Sequence, residues 1–91
     1  MHGIARISFS GGARLMPARN GYDRELVFEE AECCARRHGL ARLELGSAAI
    51  TIRRAALPAQ PCGGCGQLVD RLDFALGARH LCPRCARHSA G

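Results

Sequence analysis

Apolar and polar residues alternate in two stretches of the first half of the chain and repeat at helical spacing between them. Residues 4–9 place Ala5, Ile7 and Phe9 on one face of a strand. Ser10-Gly11-Gly12 reads as a turn into a return strand from Ala13 to Met16. After a loop over 17–22, Asp23 caps a helix that runs to His38 and closes at Gly39. Val27, Phe28, Ala31, Cys34, Ala35 and His38 fall on its apolar stripe, with Glu25, Glu29, Glu30 and Glu32 mostly on the other side. The acids come early and Arg36-Arg37 late, as the helix dipole favours. Ala41, Leu43 and Leu45 then alternate inward, Gly46-Ser47 breaks the run, and Ile50 and Ile52 share one face of a strand over 48–54. The pattern predicts β-β-α-β-β, a sheet with one helix laid on it.

Leu57-Pro58-Ala59-Gln60-Pro61 reads as an extended linker. It divides the chain into a small α+β unit, residues 1–57, and a second module, residues 58–91. The second module carries Cys62-Gly-Gly-Cys65-Gly66 and then Leu81-Cys82-Pro83-Arg84-Cys85. Two C-x-x-C pairs at this separation supply the four thiolates of a closed tetrahedral zinc site, so Cys62, Cys65, Cys82 and Cys85 are the candidate ligands of one structural zinc ion. A C-x-x-C pair must wrap its backbone tightly, and Gly63, Gly64 and Gly66 supply the free dihedrals of such a knuckle. The second pair has Pro83 after Cys82, which suits the first turn of a short C-terminal helix. That order is treble-clef-like, with a symmetric zinc ribbon as the alternative. Between the pairs, Leu68, Val69, Leu72, Ala75 and Leu76 fit a helical stripe ending at Gly77. Strands at 68–70 and 79–81 fit as well, so a hairpin-like or partly helical connector is expected, its apolar residues docked on the first unit.

The chain has 91 residues, four per cent of them aromatic and no Trp, so its core is thin. Domains this small usually add a metal, a disulfide or a partner, and a homodimer is one way to complete such a core. Six cysteines would also permit a secreted disulfide framework. Against it stand the knuckle spacing, the adjacency of Cys33 and Cys34, and the lack of an apolar signal segment after Met1. A reducing compartment, most simply a bacterial cytoplasm, is expected, and no apolar run approaches the ~20 residues of a membrane span.

All thirteen basic residues are Arg, and the formal charge is +5. Four thiolates on one zinc ion would bring about −2. Residues 53–91 hold six Arg against Asp70 and Asp73, so the basic surface goes with the cysteine module. Arg79, Arg84 and Arg87 flank the second pair and are the candidate contacts to phosphate or to an acidic protein. With one Tyr and three Phe in all, recognition by stacking on single strands is not expected.

The run Cys62-Gly-Gly-Cys65-Gly66-x-x-Val69, Arg71-Leu72, then Ala78-Arg79-x-Leu81-Cys82-x-x-Cys85-Ala86 resembles the zinc finger of the DksA/TraR family. Those bacterial proteins use the finger beside a long helical hairpin to bind RNA polymerase and alter initiation. The resemblance covers about 25 residues, with a connector one residue shorter than the family's usual pattern, and residues 1–57 do not read as a helical hairpin. It implies a transcription-regulating role for the finger. A second resemblance is to the nickel chaperones of hydrogenase maturation, the HypA family. Those begin Met-His-Glu and carry a two-pair zinc domain after a strand; here the chain begins Met1-His2-Gly3, and Ile50-Thr51-Ile52 leads into Cys62. That resemblance implies metal binding at His2.

Other residues have plainer readings. Cys34 belongs to the core and Cys33 to the stripe's edge. His38 sits at the helix end near free carbonyls. His80 and His88 flank the second pair beside a ligand set that four cysteines already complete. No phosphate loop or Ser-His-Asp order is seen, and a closed four-thiolate zinc leaves no position for water, so no enzyme is expected. The sequence reads as a zinc-finger regulator or adaptor. Its partner would be transcription machinery, RNA polymerase included, or nucleic acid, with a protein-only assembly as the alternative.

Overall fold

The computed structural model describes residues 3–89. Strand β1 (Ile4–Phe9) pairs with β2 (Gly12–Pro17) on one side and with β3 (Leu40–Leu45) on the other, all antiparallel. Helix α1 (Gly21–His38) crosses between β2 and β3, and β4 (Ala48–Arg54) pairs with β3. The expected alternation is observed: Ala5, Ile7, Ala41, Leu43, Leu45, Ile50 and Ile52 are buried beneath α1.

Two boundaries differ from expectation. Strand β2 continues to Pro17, and α1 starts at Gly21 with Asn20 as its N-cap. The Asn20 Oδ1 accepts the Asp23 N–H at 2.9 Å. Asp23 lies in the first turn, and its buried carboxylate reaches back to the Arg19 N–H (3.1 Å) and Arg19 Nε (3.0 Å). Those donors, the backbone one foremost, hold its carboxyl below the usual range. Of the two cap-competent residues three apart, the first is the cap, and the second reaches past it to Arg19. At the other end Gly39, φ 85°, closes the helix as expected.

The end of the expected linker is itself a short strand, β5 (Gln60–Pro61), and beyond it lie β6 (Leu68–Val69), β7 (Leu72–Leu76), β8 (Arg79–Leu81) and helix α2 (Pro83–Ser89). Strand β7 adds to the free edge of β4, and β8 follows it, giving the sheet order β2-β1-β3-β4-β7-β8. The sheet therefore runs across the linker, and residues of both segments share one apolar core. The helical stripe of the connector is not a helix, because ladder pairing with β4 overrides a pattern that short apolar runs leave ambiguous. Gly77, φ 62°, takes the first position of the two-residue turn between Leu76 and Arg79, which a β-hairpin favours.

Phe74 of β7 lies against Phe28 of α1, ring centroids 6.3 Å apart, and both are buried. Each such side chain contributes about 1.5–3 kcal/mol by burial. The fold is α+β, and knuckle, hairpin and helix follow one another in the treble-clef-like order. Among the described residues no helix is long and apolar enough to cross a membrane.

Candidate metal centre

The short β5–β6 ladder pins the first knuckle. The Cys62 N–H donates to the Gln67 carbonyl at 2.7 Å, and the Gly66 N–H donates to the Cys62 carbonyl at 3.0 Å. This turn needs Gly66 at φ 80°, where a side chain would be strained. Gly64 is required for a different reason. A Cβ there would lie 2.9 Å from Cys85 Sγ and 3.1 Å from Cys85 Cβ. Gly63 needs neither freedom: a Cβ there would meet only ordinary contacts, the nearest at 3.5 Å.

The second pair sits where β8 passes into α2. The Cys82 carbonyl accepts the Ala86 N–H at 2.9 Å, which makes Cys82 the residue that opens the helix. Cys85 is one turn on, and residues three apart share a helix face. The Gly63 N–H donates to the His80 carbonyl at 2.8 Å, tying the first knuckle to the strand that delivers the second pair.

As a result the Sγ atoms of Cys62, Cys65, Cys82 and Cys85 all lie within 4.8 Å of one another. Cys65 and Cys82 sulfurs are 3.9 Å apart. Four sulfurs each about 2.3 Å from one zinc ion would be about 3.8 Å apart at a tetrahedron's edge, so this separation fits a shared metal. A disulfide would need about 2.05 Å, and all six cysteines are free thiols. The competing disulfide framework is therefore not what the chain forms here.

The site is electrostatically prepared. The N–H groups of Gly64 and Cys82 both point at Cys62 Sγ from 3.3 Å. Burial works against a Cys62 thiolate, but the N–H groups of Cys82, Cys65 and Gly64, with the Cys85 thiol, bring its pKa down to about 6. Cys85 is pushed up to about 12, because its proton is held by the Cys62 and Cys82 sulfurs, with burial and Cys65 adding to the effect. One thiolate is ready before a metal arrives, and its neighbours donate to it. The four cysteines can hold a metal ion such as zinc, with backbone N–H groups orienting the ligand sulfur.

The arginines beside the second pair separate. Arg84 is exposed, and Arg79, also exposed, reaches the Gly63 carbonyl at 3.5 Å. Arg87 turns inward: its Nη2 lies 2.9 Å from Glu32 Oε2, its Nε 3.2 Å from Glu25 Oε1, and its guanidinium carbon 5.4 Å from the Phe28 ring centre. Arg87 thus clasps α2 to α1, and a surface-contact role does not suit it. Neither Glu32 Oε2 nor Arg87 Nε makes a hydrogen bond, so the clasp rests on charge attraction.

His80 stands outside the sulfur cluster, with Nδ1 2.6 Å from Asp73 Oδ2. The buried Asp73 was not singled out in the sequence, where the partner seven residues on gives no local signal. His88 is exposed. His38 stacks on Phe9, centroids 4.7 Å apart, where a carbonyl-side cap was expected. Cys34 is buried in the core as expected, its thiol pushed up by burial and by Glu30. The His2 of the nickel-chaperone resemblance lies outside the described residues. No family model, curated protein or solved structure matches this chain.

Proposed function

We propose that the protein is a small zinc-stabilised docking module: a regulator or adaptor whose one zinc ion is structural and whose surface binds a larger partner. The observation that carries this reading is the meeting of four cysteine sulfurs within 4.8 Å, from a knuckle and a helix start that are twenty residues apart in sequence at Cys62 and Cys82. Zinc is the natural occupant because four thiolates in a compact closed set suit its tetrahedral preference. Its role is to cross-link, since a short tail with little apolar surface gains folding energy from the metal. With all four positions filled by sulfur, water has no place on the ion, so the reading assigns no hydrolytic or other enzymatic chemistry.

The partner class is transcription machinery or nucleic acid. The formal charge of +5, carried wholly by Arg, supports an anionic partner. The resemblance of residues 62–86 to the DksA/TraR finger supports RNA polymerase within that class. Free thiols suit a reducing compartment such as the cytoplasm.

Affinity purification from the native host, with metal analysis of the same sample, tests both halves. One zinc per chain and co-purifying polymerase or nucleic acid is expected. Metal-free protein would overturn the zinc site, and a single stoichiometric protein partner unrelated to transcription would overturn the partner class.

A further inference from the structure

Two crevices open at the end of β4 where it leaves the sheet. One, of about 320 Å³, is lined by Arg53 and Arg54 together with Asp73 and His80. The other, of about 470 Å³, is lined by Arg36, Arg54 and Arg71 above Leu72 and Pro83. Successive strand residues point to opposite faces, so Arg53 and Arg54 leave β4 on opposite sides, and Arg54, which borders both crevices, links them around the end of the strand. All four arginines are exposed.

The two carboxylates that line the crevices each have a cationic or imidazole neighbour, and Asp70, beside Arg71 in sequence, lines neither. Glu32 is held by Arg87 at 2.9 Å, with Arg36 at 3.8 Å, and Asp73 is held by His80 at 2.6 Å. Among the described residues neither Arg53 nor Arg71 enters an ion pair. Arg54 makes one bond, from Nη2 to the Arg36 carbonyl at 3.1 Å, and keeps its other donors. Four guanidiniums thus gather at this end of the sheet with no unpartnered acid among the crevice linings, a grouping that the local sequence hides because the residues come from α1, β4 and the β6–β7 turn.

We propose that Arg36, Arg53, Arg54 and Arg71 form the nucleic-acid-binding face of this protein, gripping successive phosphates of the backbone without reading base sequence. This rests on the nucleic-acid branch of the function proposed above and moves its contacts away from Arg79 and Arg84. Phosphates are favoured over an acidic protein because guanidinium forks match phosphate oxygens and a nucleic-acid backbone repeats its charge at short, regular intervals. The large exposed apolar side chains, such as Leu15, Leu57 and Leu68, line neither crevice. No aromatic ring lines them either, so bases have nothing to stack on.

The test is fluorescence anisotropy of the full chain with a labelled duplex of random sequence, between about 50 and 200 mM salt. Four phosphate contacts give a log–log slope of about −3.6, so affinity falls on the order of 100-fold across that range. Arg53→Gln and Arg71→Gln, which break no internal bond, each reduce the slope by about 0.9, and the double variant by about twice that. Arg79→Gln and Arg84→Gln leave it unchanged. Absence of binding at low salt, or a slope lost with Arg79 and Arg84 but kept without Arg53 and Arg71, overturns the inference. So does polyglutamate competing as well as the duplex at equal charge. Metal content measured on the same protein separates the two proposals: metal-free protein that still binds through these arginines overturns the zinc site alone, and zinc-loaded protein that does not bind overturns this face alone.

Discussion

Gly64 and Cys85 are in steric contact across the metal site: a Cβ on residue 64 would stand 2.9 Å from the Cys85 sulfur. The two are twenty-one positions apart, and the closeness follows from folding the helix start onto the knuckle. A free thiol could swing aside, but a sulfur held on a metal cannot. Gly64→Ala should therefore weaken metal binding far more than it lowers the stability of the sheet. The shift should be about 10–100-fold, the range seen when groups around a metal's ligands are altered. Gly63→Ala, whose added carbon meets nothing closer than 3.5 Å, is the paired control and should bind almost normally. Competition against a chromophoric zinc chelator measures both, and equal affinities for the two variants would contradict the steric account.

Metal binding should release protons and strengthen as pH rises. Every ligand must be a thiolate on the metal, yet without metal Cys85 keeps its proton up to about 12. That proton, at least, must leave on binding at neutral pH. Cys62 is ionised above about 6, so below that pH binding must also remove its proton and affinity should fall more steeply. The two shifts act oppositely on the metal-free fold. The depressed Cys62 value contributes stability fully present above 9 and lost as pH falls through about 6; the raised Cys85 value contributes stability present below 9 and lost as pH rises through about 12. Calorimetric titration with zinc in buffers of different ionisation heat counts the protons, and a buffer-independent heat would contradict the scheme.

Arg87 should prove a structural clasp. Removing it by Arg87→Ala leaves Glu32, whose side chain is only 14% exposed, without its closest cation and uncovers the Phe28 ring. A loss of about 2 kcal/mol is expected, between the small value of surface pairs and the larger one of fully buried pairs. Glu32→Gln in that background should recover part of it, because the stranded charge is gone. Denaturant unfolding of the two single variants and the double variant gives the coupling energy, and strict additivity would mean the clasp contributes nothing.

Much of this architecture was legible because its signals are local. Strands β1, β3 and β4 announce themselves by period-two alternation at Ala5-Ile7, Ala41-Leu43-Leu45 and Ile50-Ile52, and α1 by its stripe and Gly39. The four cysteines were legible because metal chemistry constrains their spacing. Other features depend on pairings that spacing does not encode. Strand β7 was obscured because Leu72, Phe74 and Leu76 alternate with Asp73 and Ala75 over only five residues, while Leu68, Val69, Leu72, Ala75 and Leu76 also fit a helical stripe. The inward turn of Arg87 depends on where α2 lands against α1, and the arginine face depends on β4 and the β6–β7 turn meeting the end of α1. Asn20 carries a local cap signal too, since a cap-competent residue three before an acid is a capping signature.

Asp73 lies buried on β7. Its Oδ2 is 2.6 Å from His80 Nδ1, while its Oδ1 is buried and without a hydrogen-bond partner. The carboxylate therefore depends on one neighbour. His80→Ala should strand it and destabilise the protein by about 1–3 kcal/mol, the penalty of an unsatisfied buried polar group. Asp73→Asn in the His80→Ala background should return much of that loss, since a neutral amide is easier to bury than a lone carboxylate. The variants should keep their metal, because His80 contributes to the knuckle through its backbone carbonyl, bonded to the Gly63 N–H at 2.8 Å, and the substitution leaves that group in place. Thermal unfolding of the zinc-loaded variants with parallel metal analysis checks both points. Loss of metal in His80→Ala would show that the imidazole supports the sulfur cluster directly, and an unchanged Tm would show that Asp73 finds water or another donor once the ring is gone.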